Sequence, residues 1–203
     1  AGERDAHANP ADGGPNGYTA DDVYASTLIG LLGAAEAGIT TVVDWSDVPA
    51  GDEFADAALQ AHRDAGLRTR YVHAVGAAGP GGAAIREVLR RLMGNAGPFT
   101  TIVLGRDLAL GTEGMADEWA IARDLGLPIQ LHAGSQTRSG TISEAAGQGL
   151  LGADVTLVHG WGLDEPTLDA VAASGASVSL APSSEMAGGL GPPPIQQLVD
   201  RHR

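Results

Sequence analysis

The sequence contains no cysteine, and all twelve of its basic residues are arginine; aromatics make up only 4%. Without thiols, disulfides and thiolate metal sites are both excluded, so any metal must be held by imidazole and carboxylate. Without lysine, Schiff-base chemistry, a P-loop and a carbamylated-lysine bridge between two metals are excluded, and a metal site is expected to be mononuclear or built without lysine. The arginines stand against 25 acids, for a net charge of -13, and a field of that sign repels nucleic acid and anionic membranes. No run reaches membrane-spanning length and no charged-then-apolar leader opens the chain. The expectation is a cytoplasmic protein acting on a small molecule, with neither nucleic acid nor membrane as partner. The first residue is Ala rather than Met, which raises the further expectation that the natural start lies upstream.

What is present is a chain of 203 residues, 43% hydrophobic, enough for one domain with a sizeable core. Abundant Ala, Gly and Leu with so few aromatics predict helices packed closely on a sheet. Residues 1–18 carry turn chemistry at Asn9-Pro10, Gly13-Gly14-Pro15 and Asn16-Gly17 and read as a flexible lead-in, leaving 19–203 as the folded domain. Thr19 with Asp22 reads as a capping box opening a helix whose buried stripe is Leu28, Leu31, Leu32 and Ala35.

From Gly38 onward one pattern repeats: a helix closes on glycine, one to three residues pass, and a β-rich run begins. The glycines are Gly38, Gly66, Gly97, Gly126, Gly152 and Gly175. The runs are 40–44, 68–73, 100–104, 129–132, 155–159 and 177–182. Between them lie apolar stripes at helical spacing: Phe54, Ala57, Ala58 and Ala61; Ile85, Val88, Leu89 and Leu92; Met115, Trp119 and Ala122; Leu168, Val171 and Ala172. His62 lies at the edge of the first of these and reads as structural or surface. Asp164 before Glu165-Pro166 reads as a helix cap.

Strict strand–helix alternation with short connections builds a parallel sheet with right-handed crossovers, either a barrel or a doubly wound sheet. No Gly-x-Gly-x-x-Gly follows the first strand, and Gly76–Gly82 lacks that spacing, so the expected fold is α/β, a partial (β/α)8 TIM-type barrel. It would have six parallel βα units, with the N- and C-terminal strands of a full barrel missing. The residue six or seven places beyond each glycine is Asp44, His73, Leu104, His132, His159 and Pro182 in turn. Strand ends are where a βα barrel gathers its chemistry. His132 and His159, in consecutive units, therefore form a candidate pair of metal ligands, with Asp44 and His73 as further ligands or as rim residues bonded to loops. The plainer alternative for each histidine is a buried ring satisfied by backbone groups.

The phrases around these histidines resemble the amidohydrolase superfamily, in particular its cytosine-deaminase-like and chlorohydrolase-like metal-dependent hydrolases. Ala37–Asp44 (AGITTVVD) is similar to that family's second strand, Ala122–His132 (ARDLGLPIQLH) to its fifth and Leu157–Gly160 (LVHG) to its sixth. Ser179–Glu185 (SLAPSSE) with Gly189–Ile195 (GLGPPPI) is similar to the seventh strand, its substrate-side loop and the next helix. The resemblance implies one Zn or Fe ion held by imidazoles, lowering the pKa of a bound water so that hydroxide attacks a ring or amide carbon of a small cyclic amidine or amide. It assigns His132 and His159 as ligands. By position, Trp45, Trp161, Ser183, Ser184 and Glu185 are candidates to line a substrate pocket, with packing or loop bracing as the plainer reading of each. The family's His-x-His on the first strand and Asp on the eighth have no match in these 203 residues. Ser135 stands where its deaminases carry a proton-shuttling glutamate, and Glu144 is the next acid on. The catalytic residue is therefore unassigned, and impaired catalysis is expected of this stretch by itself. The competing expectation is a non-catalytic partial barrel, a pseudoenzyme or interaction module that forms homo-oligomers or pairs through its open sheet edges.

Overall fold

A computed structural model describes residues 19–46, 51–75, 83–107, 111–133 and 136–201. The lead-in over 1–18, the glycine-rich 76–82 stretch and Ser135 lie outside the described residues. Among the described residues are eight helices and six strands, alternating up to β6 and closing on two successive helices: α1 (Ala20–Glu36), β1 (Thr41–Ser46), α2 (Asp52–Ala65), β2 (Arg68–Val75), α3 (Ala83–Asn95), β3 (Thr100–Asp107), α4 (Met115–Asp124), β4 (Ile129–His132), α5 (Gln136–Gly147), β5 (Val155–Val158), α6 (Glu165–Ser174), β6 (Ser177–Ser179), α7 (Pro182–Ala187) and α8 (Ile195–Arg201). The six strands form one parallel sheet in the order β1-β2-β3-β4-β5-β6. A doubly wound sheet reverses its strand order at a switch point, and this one does not, so the topology is that of six βα units of a (β/α)8 barrel.

The chain divides into two compact units, one of residues up to His73 with Val88–Ile102, the other of Ala74–Glu87 with Val103–Arg203. In the first, β1 and β2 pair from Thr41↔Arg68 to Ser46↔His73. The capping box is present: Asp22 N–H donates to Thr19 Oγ1 at 3.2 Å and Thr19 N–H to Asp22 Oδ2 at 2.9 Å. These bonds, the backbone one foremost, hold the Asp22 carboxyl below its usual range. Helix α2 buries Ala55, Ala58, Leu59, Ala61 and His62 and closes on Gly66 at φ 65°, a left-handed position that glycine fills without strain. The stripe expected on α1 is only partly buried. Leu31 is 3% exposed, but Leu32 is 50% exposed and Ala35 is exposed as well, because no described element covers the outer side of that helix.

In the second unit the strands read as apolar runs rather than alternations. Ile129, Gln130 and Leu131 are buried in succession on β4, which requires cover on both sheet faces. The pairings run Leu104↔Ile129 to Asp107↔His132, Ile129↔Val155 to His132↔Val158, and Thr156↔Ser177 to Val158↔Ser179. Trp119 of α4 is fully buried and its indole N–H donates to Leu150 O at 2.8 Å. Asp164 caps α6, accepting the Thr167 N–H at 3.0 Å, with Pro166 in the first turn.

Several boundaries differ from the repeat pattern. β1 runs on to Ser46 and β2 to Val75, so Asp44 and His73 lie within their strands and not at the ends, and β5 stops at Val158, one residue before His159. β3 runs three residues past Leu104 to Asp107 because Gly105 and Arg106 continue the ladder against Gln130 and Leu131. β6 stops at Ser179, and Pro182 opens α7 instead of ending a strand. α5 ends at Gly147, ahead of Gly152, and the left-handed position there falls on Gly149 at φ 70°.

Burial pushes the Tyr71 phenol up to about 12, above its ordinary value near 10. A folded-state pKa raised in this way contributes stability that is complete below about pH 10 and lost as pH climbs toward 12, up to roughly 2–3 kcal/mol. The urea midpoint of the protein is expected to fall over that window, and Tyr71→Phe is expected to flatten the fall when both are followed by circular dichroism.

Candidate functional site

The two strand-end histidines are brought together. His132 is the last residue of β4 and His159 follows β5 directly, one residue beyond Val158, the partner of His132 in the ladder. Their rings stack with centroids 5.5 Å apart and planes 27° from parallel. A divalent ion about 2.0–2.1 Å from one nitrogen of each ring would lie ~3.2 Å from each centroid, so two rings sharing it at near-tetrahedral angles stand about 5–5.5 Å apart. The spacing fits a shared ion. The donor count does not complete one: among the described residues no group of three or more His, Asp or Glu side chains is placed to hold a metal.

The backbone is bent to present His159. Its φ is 69°, the one non-glycine residue with positive φ among those described, a conformation that costs an L-residue roughly 1–2 kcal/mol. Its N–H donates to Ser179 O at 2.8 Å, tying the bend to β6. The next residue is Gly160, where a Cβ would come within 3.0 Å of Val178 Cγ1, so the turn is packed closely on β6.

Two carboxylates flank the imidazoles. His159 Nδ1 pairs with Glu185 Oε1 at 2.8 Å, and Ala181 N–H donates to that same oxygen at 3.0 Å. Glu185 is 2% exposed, and its Oε2 is buried with no hydrogen-bond partner among the described residues. On the other side Asp107 Oδ2 lies 3.8 Å from His132 Nδ1, an electrostatic contact longer than a hydrogen bond. Asp107 was not among the expected site residues because the repeat pattern ended its strand at Leu104. The polar Arg106-Asp107 after an apolar run was the available signal. Beside it Arg106 is 4% exposed, donating to Glu118 Oε2 at 2.6 Å and to the carbonyls of Gly111 at 3.2 Å and Glu113 at 2.7 Å. This buried network fixes the end of β3 against the segment that leads into α4.

The remaining expected site residues are placed as follows. In the first unit Asp44 Oδ2 is engaged by His62 Nε2 at 2.8 Å, while His62 Nδ1 meets Thr69 Oγ1 at 2.8 Å, so His62 is a buried structural ring bracing β1 and β2. His73 on β2 has its pKa held below the ordinary value by burial, with Arg91 adding to the effect and Asp52 opposing it. In the second unit Trp161 is half-buried in the turn after His159, and Ser183 and Ser184 are exposed on α7. Glu144 lies on α5, where it accepts from Thr112 Oγ1 at 2.9 Å and Gln148 Nε2 at 3.1 Å.

No family model matches the chain. It is 30% identical over 202 residues to 5-methylthioadenosine/S-adenosylhomocysteine deaminase of Natronomonas pharaonis, covering 90% of this chain and 45% of that protein. It is also 30% identical over 213 residues to the protein of the same name in Halobacterium salinarum, covering 95% and 46%. The chain thus spans about half the length of the curated relatives it matches. Among solved structures, zinc-complexed atrazine chlorohydrolase from Arthrobacter aurescens TC1 superposes with a TM-score of 0.74 at 18% identity, over 91% of this chain and 48% of that one. An adenosine deaminase from Xanthomonas campestris with bound zinc superposes at 0.68 and 17% identity, over 91% and 45%. The resemblance to amidohydrolase-superfamily enzymes carried by the sequence phrases is therefore present in the fold.

The strained backbone at position 159 makes a comparison of two variants informative. His159→Gly and His159→Ala both lose the imidazole, but only glycine occupies φ 69° without penalty. The glycine variant is expected to be more stable by about 1 kcal/mol in urea titration.

Proposed function

We propose that this chain forms the six-unit region of an amidohydrolase-type barrel that hydrolyses a C–N bond of a small cyclic amidine or amide. The observation that carries the reading is the stacked pair His132 and His159 at consecutive strand ends, at a ring separation suited to one shared ion. A divalent ion bound there, zinc or iron, would supply the Lewis acidity that makes water a nucleophile at neutral pH. His132 and His159 would hold it. The nearby Asp107 and Glu185 carboxylates give the pocket a negative field that favours a cation and, with it, an electron-poor ring. Trp161, Ser183 and Ser184 would border the substrate. The deaminase names of the archaeal relatives make an aminopurine the first substrate class to test. With Ser135 at the position of the family's shuttling glutamate, deamination by this stretch is expected to be slow. Asp44 and His73 are the less favoured ligands, since Asp44 is already engaged by His62.

A second reading has its own observation. No described group of three ligands is assembled, and the outer strand β1 exposes Val43 at 51%, so the same fold serves equally as a non-catalytic module that pairs through an open edge with another copy or another chain.

Elemental analysis after equilibration with Zn(II) separates the two. Bound metal is expected in the unmodified protein, lost in both His132→Ala and His159→Ala and retained in Asp44→Ala. Loss in His73→Ala as well would add that residue to the site. No metal at any loading would sink the hydrolase reading and leave the module.

A further inference from the structure

We propose that Glu185 is a positioning residue: it fixes the His159 ring as the Nδ1–H tautomer and so leaves Nε2 with the free electron pair. Helix α7 is unusual in what it hides. The residue it buries is its glutamate, at 2% exposed, while its neighbour Met186 is 55% exposed. Burying a carboxylate is costly unless donors are supplied. Here both identified donors go to one oxygen: the Ala181 N–H at 3.0 Å and His159 Nδ1 at 2.8 Å. An amide N–H can only donate, so Oε1 accepts there, and an ionised carboxylate, which has no proton to give, makes the 2.8 Å contact with Nδ1 only if the ring proton sits on Nδ1.

The backbone holds this arrangement from both sides. Glu185 N–H donates to Ala181 O at 2.9 Å and Leu190 N–H to Glu185 O at 3.0 Å, so the residue is tied into the turn on each side of α7. On the histidine side the left-handed φ of 69° and the Ser179 carbonyl fix where the ring starts. Neutral imidazole in water favours the proton on Nε2. A carboxylate clamped on Nδ1 reverses that preference, and a ring so held can ligate a cation or accept a proton through Nε2 without first exchanging its own. That functional consequence rests on the hydrolase reading; the tautomer itself does not.

The test reads the tautomer in the metal-free protein. Long-range proton–nitrogen correlation on 15N-histidine-labelled protein, at a pH where the ring is neutral, is expected to show His159 almost wholly as Nδ1–H. Glu185→Leu is expected to convert it to a mixture dominated by Nε2–H, with the His132 and His62 signals as internal controls on folding. Glu185→Gln, which keeps the accepting oxygen and the packing, is expected to retain Nδ1–H. An Nε2–H ring in the unmodified protein, or a tautomer unmoved by Glu185→Leu, would overturn the proposal. Failure to take up zinc with the Nδ1–H tautomer intact would instead count against the hydrolase reading alone.

Discussion

Parallel pairing in sequential order is the constraint from which the rest of the structure follows. A strand that hydrogen-bonds to its predecessor in the same direction can be reached only after the chain has travelled back across a face of the sheet. Each strand here is therefore preceded by a helix, and Ile129, Gln130 and Leu131 are buried one after another instead of alternating. The same constraint sends every strand's C-terminal end to one rim. That is why two histidines separated by 27 positions come to stand ring against ring.

The order of elements was legible in the sequence because its signals are local. Glycine past a helix end, a capping box at Thr19 and a proline in the first turn of α6 act within a few residues, and the structure shows them in place. Strand lengths were less legible. Pairing partners decide how far a ladder extends, and the partners of Gly105 to Asp107 lie on β4, more than twenty residues on. The α1 stripe was misjudged for a similar reason. Periodicity identifies an apolar side but not whether anything lies against it, and Leu32 has no such cover among the described elements.

The candidate site divides along the same line. His132 and His159 could be read from position in the repeat, whereas the pairing of Asp107 and Glu185 with them could not. Asp107 was hidden by a strand that continued past its apolar run. Glu185 was expected in a substrate-side loop, but nothing in its neighbours announces that it turns inward to meet a histidine 26 positions away while Met186 faces out. Asp44 shows the converse: the repeat pattern put it at a strand end, but β1 continues to Ser46 and a ring from α2 engages it, and α2 could not be docked from sequence alone.

The guanidinium of Arg106 has a consequence for how freely the end of β3 can move. It is inside the protein and tied simultaneously to Glu118 and to the carbonyls of Gly111 and Glu113. Swinging the 111–114 segment outward would take the Gly111 and Glu113 carbonyls away from a buried, permanently charged group, a costly rearrangement. The end of β3, beside the strand end that carries His132, and the 111–114 segment are thereby clasped into one stiff corner.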